Sequence, residues 1–303
     1  MSEMKTIVKN IDAQDKKPVT KKRKAGPWRD VFRRLKKDKM AMFGLFIIIL
    51  LIFLALFADV IAPYGYDDQN LKDRLMAPNS KYLLGTDNFG RDILSRIIYG
   101  SRISLQVGFI AVGISAIVGG ALGAIAGYYG GKLDNFVMRA MDILLAIPSI
   151  LLAISIVAAL GPGLQNVMIA VGIGSIPSYA RIVRASVLSI RDQEFVEAAR
   201  AVGANDFRII TKHILPNAMA PIIVQATLGV AGAILSAAGL SFIGLGIQPP
   251  TPEWGAMLSS GREYIRDNWH VATFPGLAIM ITIFALNLLG DGLRDALDPR
   301  LKS

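Results

Sequence analysis

The densest group of chemically capable side chains in this 303-residue chain is a polar run, Arg191-Asp192-Gln193-Glu194, that leads into Phe195, Glu197, Ala198, Ala199, Arg200 and Gly203. Leu215-Pro216 closes the stretch before the sequence turns apolar again. Helical spacing puts Phe195, Ala198, Ala199 and Val202 on one stripe, flanked by Glu194, Glu197 and Arg200. Gly203 is a natural helix stop, and Asn205 or Asp206 then caps a second short helix that carries Phe207, Ile210 and Ile214. The chemistry this set offers is docking: the two alanines admit a partner's backbone, and burying Phe195 is worth roughly 1.5 to 3 kcal/mol. A plainer reading of Glu197 is an ion pair with Arg200 at i, i+3, worth about 0.2 to 0.5 kcal/mol.

Covalent and energy-converting chemistries find little support. The chain has no cysteine, so thiol, disulfide and cysteine-ligated metal sites are excluded. No Gly-x-x-x-x-Gly-Lys-[Ser/Thr] loop occurs, so no nucleotide cradle of that type is present. Asp87 and Asp92, in Gly85-Thr86-Asp87-Asn88-Phe89-Gly90-Arg91-Asp92, are not spaced as a calcium loop, and Asp87 reads as a turn or helix-cap residue leading into Ile93 to Tyr99. The chain is expected to be no enzyme and to bind no metal or cofactor of its own.

The elements that must position the polar run are apolar. The composition is 53% hydrophobic, with 29 glycines and a mean hydropathy of +0.47, which places the chain among membrane proteins. Six windows are long enough, or nearly so, to cross about 30 Å of hydrocarbon as helices. They run from Met40 to Ala62, Ile103 to Tyr129, Ile143 to Leu160, Leu164 to Ala180 (continuing toward Ile190), Ala218 to Ile247 and Val271 to Gly290. In lipid the backbone must satisfy its own hydrogen bonds, so the fold class is an all-α integral membrane protein with six transmembrane helices.

Charge predicts the orientation. Fourteen of the 33 Lys and Arg precede Met40, against five acids, and six crossings bring 25 of the 33 to the side of the N-terminus. By the positive-inside rule both termini and the insert at about 190–216 are cytosolic. Residues 1–39 are then a basic cytosolic tail, 40–62 the first span, 63–102 an extracytoplasmic loop, 103–292 a five-helix core with the insert, and 293–303 a second cytosolic tail. The first apolar run is too long for a signal-peptide core and reads as an uncleaved anchor. Within the N-terminal tail, Pro27 opens a helix at about 27–39 whose Trp28, Val31, Phe32 and Leu35 share a face among basic residues. It is expected to lie on the inner leaflet, with membrane lipid as its partner. Lys21 to Lys24 read as a solvated run, and nucleic acid is not expected as a partner, because no fold around the tail would present bases to it.

Gly119, Gly123, Gly127 and Gly131 form a four-residue ladder on one helix face. Close helix packing accounts for it, and a glycine-lined path for solute is the alternative. Pro148, Pro177 and Pro221 are expected to bend or loosen their helices. The window interiors hold no Asp, Glu, Lys, Arg or His, so a proton- or sodium-driven carrier is disfavoured. Gln225, Ser236 and Asn287 are the candidates for lining a pathway. From Gln248 to His270, the residues Trp254, Met257 and Leu258 form either an outer gate or binding-protein contact, or an interfacial aromatic belt with Trp269.

Three strings carry a resemblance: Tyr179-Ala180-Arg181-Ile182-Val183-Arg184-Ala185, then Phe195-Val196-Glu197-Ala198-Ala199-Arg200-Ala201-Val202-Gly203-Ala204, then His213-Ile214-Leu215-Pro216-Asn217. Together they resemble the EAA loop of binding-protein-dependent ABC importers. Gly85-Thr86-Asp87 with Gly90-Arg91-Asp92, Ala140-Met141-Asp142 with Pro148, and Leu240 to Gly246 with Gln248-Pro249-Pro250-Thr251-Pro252 and Trp254-Gly255 are similar to the dipeptide, oligopeptide and nickel permeases, "C" type subunit. The resemblance implies a type I ABC importer permease architecture and alternating access. It implies a coupling helix at about 194–204, with Phe195, Glu197, Ala198, Ala199, Arg200, Gly203, Leu215 and Pro216 in its loop. The implied partners are a homologous second permease subunit, two cytosolic ATPases that hold ATP and magnesium, and an extracytoplasmic substrate-binding protein. Di- or oligopeptides are the implied solutes, with nickel or another small solute as the alternative.

Overall fold

The computed structural model describes residues 27–297. The basic run at Lys21 to Lys24 and the last six residues lie outside them. Among the described residues the chain is helical, with a single antiparallel bridge between Thr86 and Asp92.

Helix α1 (Pro27–Leu35) has proline at its first position, where the missing N–H costs nothing. Its apolar face meets the chain itself. Val31 and Leu35 pack on Leu289, Leu293 and Ala296, while Phe32 stays exposed. Val31 and Leu35 of the expected inner-leaflet stripe are therefore spent on protein, and the Trp28 side chain lies outside the described residues. Helix α2 (Lys39–Leu56) starts at Asp38, whose carboxylate accepts from Met40 N at 2.9 Å and Ala41 N at 3.1 Å. It stops earlier than the apolar window because Arg102 Nε donates to Ala55 O at 2.9 Å, taking a terminal carbonyl, and the short α3 (Ala58–Ile61) follows.

Helix α4 (Ile93–Tyr129) begins ten residues before the window read from the sequence. Asp92, not Asp87, is its cap, with Oδ2 accepting from Ser95 N at 2.8 Å. At 37 residues α4 is about 55 Å long and outruns the hydrocarbon thickness, so 93–102 belong to helix and not to loop. The third window is divided. α5 (Gly131–Ala146) and α6 (Ser149–Leu160) meet at 87°. Pro148 lacks an N–H and pushes Ile147 into extended backbone at φ −92°, ψ 125°, which ends α5. Pro177 and Pro221, expected to bend or loosen their helices, sit inside α7 (Leu164–Leu188) and α9 (Asp206–Phe242), and both helices continue through them.

α8 (Glu194–Ala201) is the helix of the polar insert. α9 is continuous from the insert into the apolar run through a π-helical turn, Ile209–Ile214, so the second insert helix and the fifth window are one element. α10 (Trp254–Gly261) is short, and α11 (His270–Leu297) continues through 293–297, residues expected as tail. Five helices (α2, α4, α7, α9 and α11) are each long and apolar enough to cross a membrane, and the bent pair α5–α6 passes the same test when taken together, which gives six if it counts as one span.

The main core joins α4, α7, α9 and α11 through Val107, Val112, Val167, Val171, Tyr179, Val230, Ile234 and Leu286. The glycine ladder makes the tightest of these contacts possible. A Cβ on Gly119 would sit 2.5 Å from Ile176 O, one on Gly123 would strike Ala180 O, and one on Gly127 would lie 3.0 Å from Arg184 O. Both runs ascend in steps of four, so α4 and α7 lie parallel at backbone contact. Gly131 is not a rung: it starts α5 at φ +58° with open space around it. The ladder is a packing device, and no pathway runs along it.

Candidate functional site

The polar insert is held on two sides. From below, Val196 and Ala199 are buried with Val183, Val187 and Ile190 of the α7 end and with Ile209 and Ile214 of the π-turn. From the side, Tyr128 near the end of α4 donates from its hydroxyl to Asp206 Oδ1 at 2.7 Å, and the Arg200 guanidinium lies 5.3 Å over the Tyr128 ring. Arg191 Nη1 donates to Gly127 O at 2.8 Å, taking a carbonyl at the end of α4. Two ion pairs tie the same end of α7 to α5: Arg184 grips Asp134 through Nε at 2.5 Å and Nη2 at 2.6 Å, and Arg181 Nη2 meets Asp142 at 2.6 Å.

Local chemistry shapes the knob. At the end of α8, Gly203 N donates to Arg200 O at 2.9 Å and Ala204 N to Ala199 O at 3.1 Å, the two bonds of a Schellman turn, with Gly203 at φ +82°. No atom stands within 4 Å of the position a Cβ would take there, so the backbone angle alone selects glycine. Asn205 Oδ1 accepts from Arg208 N at 2.9 Å and starts the next helix.

This arrangement splits the stripe read from the sequence. Ala199 turns inward, whereas Phe195, Ala198 and Val202 face out, with Phe195 39% and Val202 83% exposed. Ala199 therefore cannot admit a partner backbone; Val196 and Ala199, at i, i+3, form an inner anchor that the sequence reading missed. Phe207, 77% exposed on α9, joins the outward face, which Pro216 also leaves exposed while Leu215 is half-buried. Glu197 is exposed and makes no side-chain hydrogen bond or ion pair, and Arg200 lies on Tyr128 instead, so the plain i, i+3 pair is not formed. The result is a rigid, two-sided element with a free carboxylate and an apolar face turned away from the fold.

At the other end of α4 the residues expected as outer gate or binding-protein contact pack into one apolar cluster. Trp254 is fully buried, its Nε1 donates to Ile97 O at 3.0 Å, and its ring sits against Gly100. Met257 is buried and Leu258 half-buried in the same cluster with Ile93, Val271 and Ile279. Trp254 and Met257 are both turned into the fold; Trp269 is the exposed aromatic of this segment. Glu253 caps α10, with Oε1 accepting from Gly255 N and Oε2 from Ala256 N, both at 2.8 Å. Burial pushes its pKa up, and these N–H bonds oppose the shift. Asp87 is buried too, bonded to Arg91 Nε at 2.7 Å with Arg96 Nε at 3.7 Å. It organises the loop and starts no helix. Among the described residues no cluster of three or more acids and histidines suits a metal ion.

Of the pathway candidates, Gln225 lines a cleft of about 420 Å³ between α7, α9 and α11. Ser236 is half-buried on the same face of α9, three turns on, and Asn287 is exposed on α11. The sequence reading overlooked Arg294, which shares the cleft with Gln225. Its place on the Asn287 face of α11, two turns away, was the available signal.

The comparisons with known proteins agree with this architecture. Residues 119–303 match the family described as binding-protein-dependent transport system inner membrane component, and residues 26–78 match the N-terminal TM domain of oligopeptide transport permease C. The chain is 53% identical to the dipeptide transport system permease protein DppC of Alkalihalophilus pseudofirmus, over 91% of each chain. It is 49% identical to the di/tripeptide transport system permease protein DppC of Pseudomonas aeruginosa, over 91% of this chain and 93% of that one. It is 50% identical to the glutathione transport system permease protein GsiD of Escherichia coli, over 91% of each. An inward-facing structure of the MetNI methionine ABC transporter shares the fold, with a TM-score of 0.57 at 22% identity, over 68% of this chain and 98% of that one. With its spans, its insert and these likenesses, the chain belongs to the dipeptide and oligopeptide permeases among the inner membrane components of binding-protein-dependent transport systems.

Proposed function

We propose that this chain is one half of the membrane pore of an ATP-driven importer of di- or oligopeptides, and that α8 is the knob through which cytosolic ATPases work it. The observation that carries this reading is the two-sided packing of α8. Its inner face is fixed to α4, α7 and α9 by Val196, Ala199 and Tyr128, and its outer face leaves Phe195, Ala198, Val202 and Phe207 exposed among the described residues. A force applied to the outer face reaches three spanning helices without passing through a flexible joint. Relatives named as dipeptide, di/tripeptide and glutathione permeases support a peptide-like solute.

In this reading the tail, the insert and the C-terminus are cytosolic, as the charge bias asks, in a bacterial or archaeal cell membrane. Two ATPases bind ATP with magnesium and close. Their motion moves α8, and the packed α4–α7 pair turns with it, so that a cavity shared with a homologous second permease opens to the other side. An extracytoplasmic binding protein delivers the solute. This chain makes and breaks no covalent bond. Reconstitution of the complete complex in liposomes tests the reading: peptide uptake that requires ATP and the binding protein is expected, and uptake undiminished by omission of ATP contradicts it.

A further inference from the structure

The cleft between α7, α9 and α11 has the composition of a site for a small amphipathic ligand. An open cleft of about 420 Å³ is lined by Ile182, Pro221, Val224 and Leu228, with two polar groups at its wall, Gln225 and Arg294. Sites for small ligands have this volume and this balance of apolar wall and few polar contacts. Arg294 is exposed and has no ion pair or hydrogen bond in the structure. Asp291 and Asp295, its neighbours on α11, line no part of the cleft, and Asp295 lines a separate hollow with Arg34 and Asp38. Among the described residues the one charge presented to the cleft is the Arg294 guanidinium, with its donors unused, and the partner it fits best is a carboxylate, held by two parallel hydrogen bonds.

Two features of α9 favour a passing solute over a resident lipid. Gln225, Gly232, Ser236 and Gly239 recur at helical spacing on one face, and a Cβ at either glycine would meet nothing within 4 Å. This open polar and small stripe leads from the cleft for about 20 Å along the helix, most of the way across the hydrocarbon. A lipid-facing helix has no use for glutamine and serine at those depths. The cleft lies at the end of the bundle that carries α8, because Pro221 follows the insert by a few residues.

We infer that Arg294 and Gln225 form a carboxylate-binding station at the inner end of the translocation path, which takes the C-terminal carboxylate of a short apolar peptide before release. The inference rests on the importer reading above. It names a substrate feature, a free carboxylate, and the residue that reads it.

The test uses the complete complex in liposomes, with Arg294→Gln, Arg294→Lys and Gln225→Ala, and as solutes dialanine and its C-terminally amidated form. Basal ATP turnover of each variant reports assembly. With wild type, the free acid is expected to be taken up at least tenfold faster than the amide. Arg294→Gln is expected to reduce that ratio to near one by slowing the acid alone, Arg294→Lys to retain part of it, and Gln225→Ala to lower it severalfold. A ratio unchanged in Arg294→Gln at normal ATP turnover overturns the station while leaving the importer reading intact. So does a wild-type ratio of one. If ATP turnover of Arg294→Gln instead becomes insensitive to anionic lipid in the vesicles with the ratio preserved, the guanidinium serves a phospholipid headgroup and the inference is wrong. Failure of wild type to take up any peptide removes the importer reading itself.

Discussion

The Tyr128 hydroxyl and the Asp206 carboxylate, 78 positions apart in the chain, meet at 2.7 Å. The bond joins the end of one spanning helix to the start of another across the base of the docking knob, and Arg200 covers the same ring. In the proposed function, a link at this point passes displacement of α8 to α4.

Tyr128→Phe removes one hydrogen bond to a charged group, worth about 1.5 to 3 kcal/mol, and leaves the ring in place for Arg200. In liposomes the variant is expected to hydrolyse ATP but to move severalfold less peptide per ATP. Asp206→Asn weakens the same bond, so the double variant is expected to lose little more than either single one. Additive losses mean the two residues act independently.

Gly123→Ala and Gly203→Ala separate two reasons for glycine. The first places a methyl on the Ala180 carbonyl and forces α4 and α7 apart, at a cost of about 1 to 3 kcal/mol or more. The second meets open space and bears only the left-handed backbone, at about 1 to 2 kcal/mol. Thermal unfolding in detergent is expected to rank them in that order, and Gly131→Ala, also in open space at φ +58°, is expected to behave like Gly203→Ala.

Trp254→Ala is expected to destabilise the protein by about 3 to 5 kcal/mol, as for a large buried side chain, and Trp254→Phe by less. Because the ring is fully buried, Trp254→Phe is expected to leave the affinity for the binding protein unchanged in a surface-capture assay. A tenfold loss of that affinity in a folded variant places Trp254 at the interface after all.

The loop between α3 and α4 carries a pH dependence of defined sign. Asp73 accepts hydrogen bonds from Lys81 Nζ at 2.7 Å and Tyr82 Oη at 3.0 Å, and these lower its pKa from 3.8. A lowered carboxylate pKa stabilises the fold fully above the unfolded value and ceases to do so as pH falls through the folded one. The protection factors of the residue 70–86 amides, with intrinsic exchange divided out, are therefore expected to be flat from pH 7 to about 5 and to fall below about pH 4. Asp73→Asn is expected to show no such loss of protection; an unchanged profile assigns it to another group.

Much of this was legible in the sequence, because bilayer thickness and hydrogen-bond demand leave an apolar run of 20 residues few alternatives to a helix. The stop of α8 at Gly203 and the cap at Asn205 are local chemistry and were readable too. What was not readable depends on contacts distant in sequence. The early start of α4 rests on Asp92, which competes with Asp87 for the same role until the ion pair of Asp87 with Arg91 is known. The inward turn of Ala199 depends on Ile209 and Ile214, one helix away. Trp254 looks like an interfacial aromatic until Ile97 O and Gly100 are seen to enclose it. Arg294 acquires meaning only when α11 is laid beside α9.

The account turns on the knob's outer face meeting an ATPase beneath the membrane. Since the chain has no cysteine, Val202→Cys gives a single thiol on that face, at a position where the native valine is 83% exposed. In intact cells this thiol is predicted to resist a membrane-impermeant maleimide, and in membranes opened to expose the cytosolic side to be cross-linked by a short bismaleimide to the ATPase subunit. Labelling from outside the cell, or a thiol that cross-links to no ATPase in an assembled and active complex, contradicts the account.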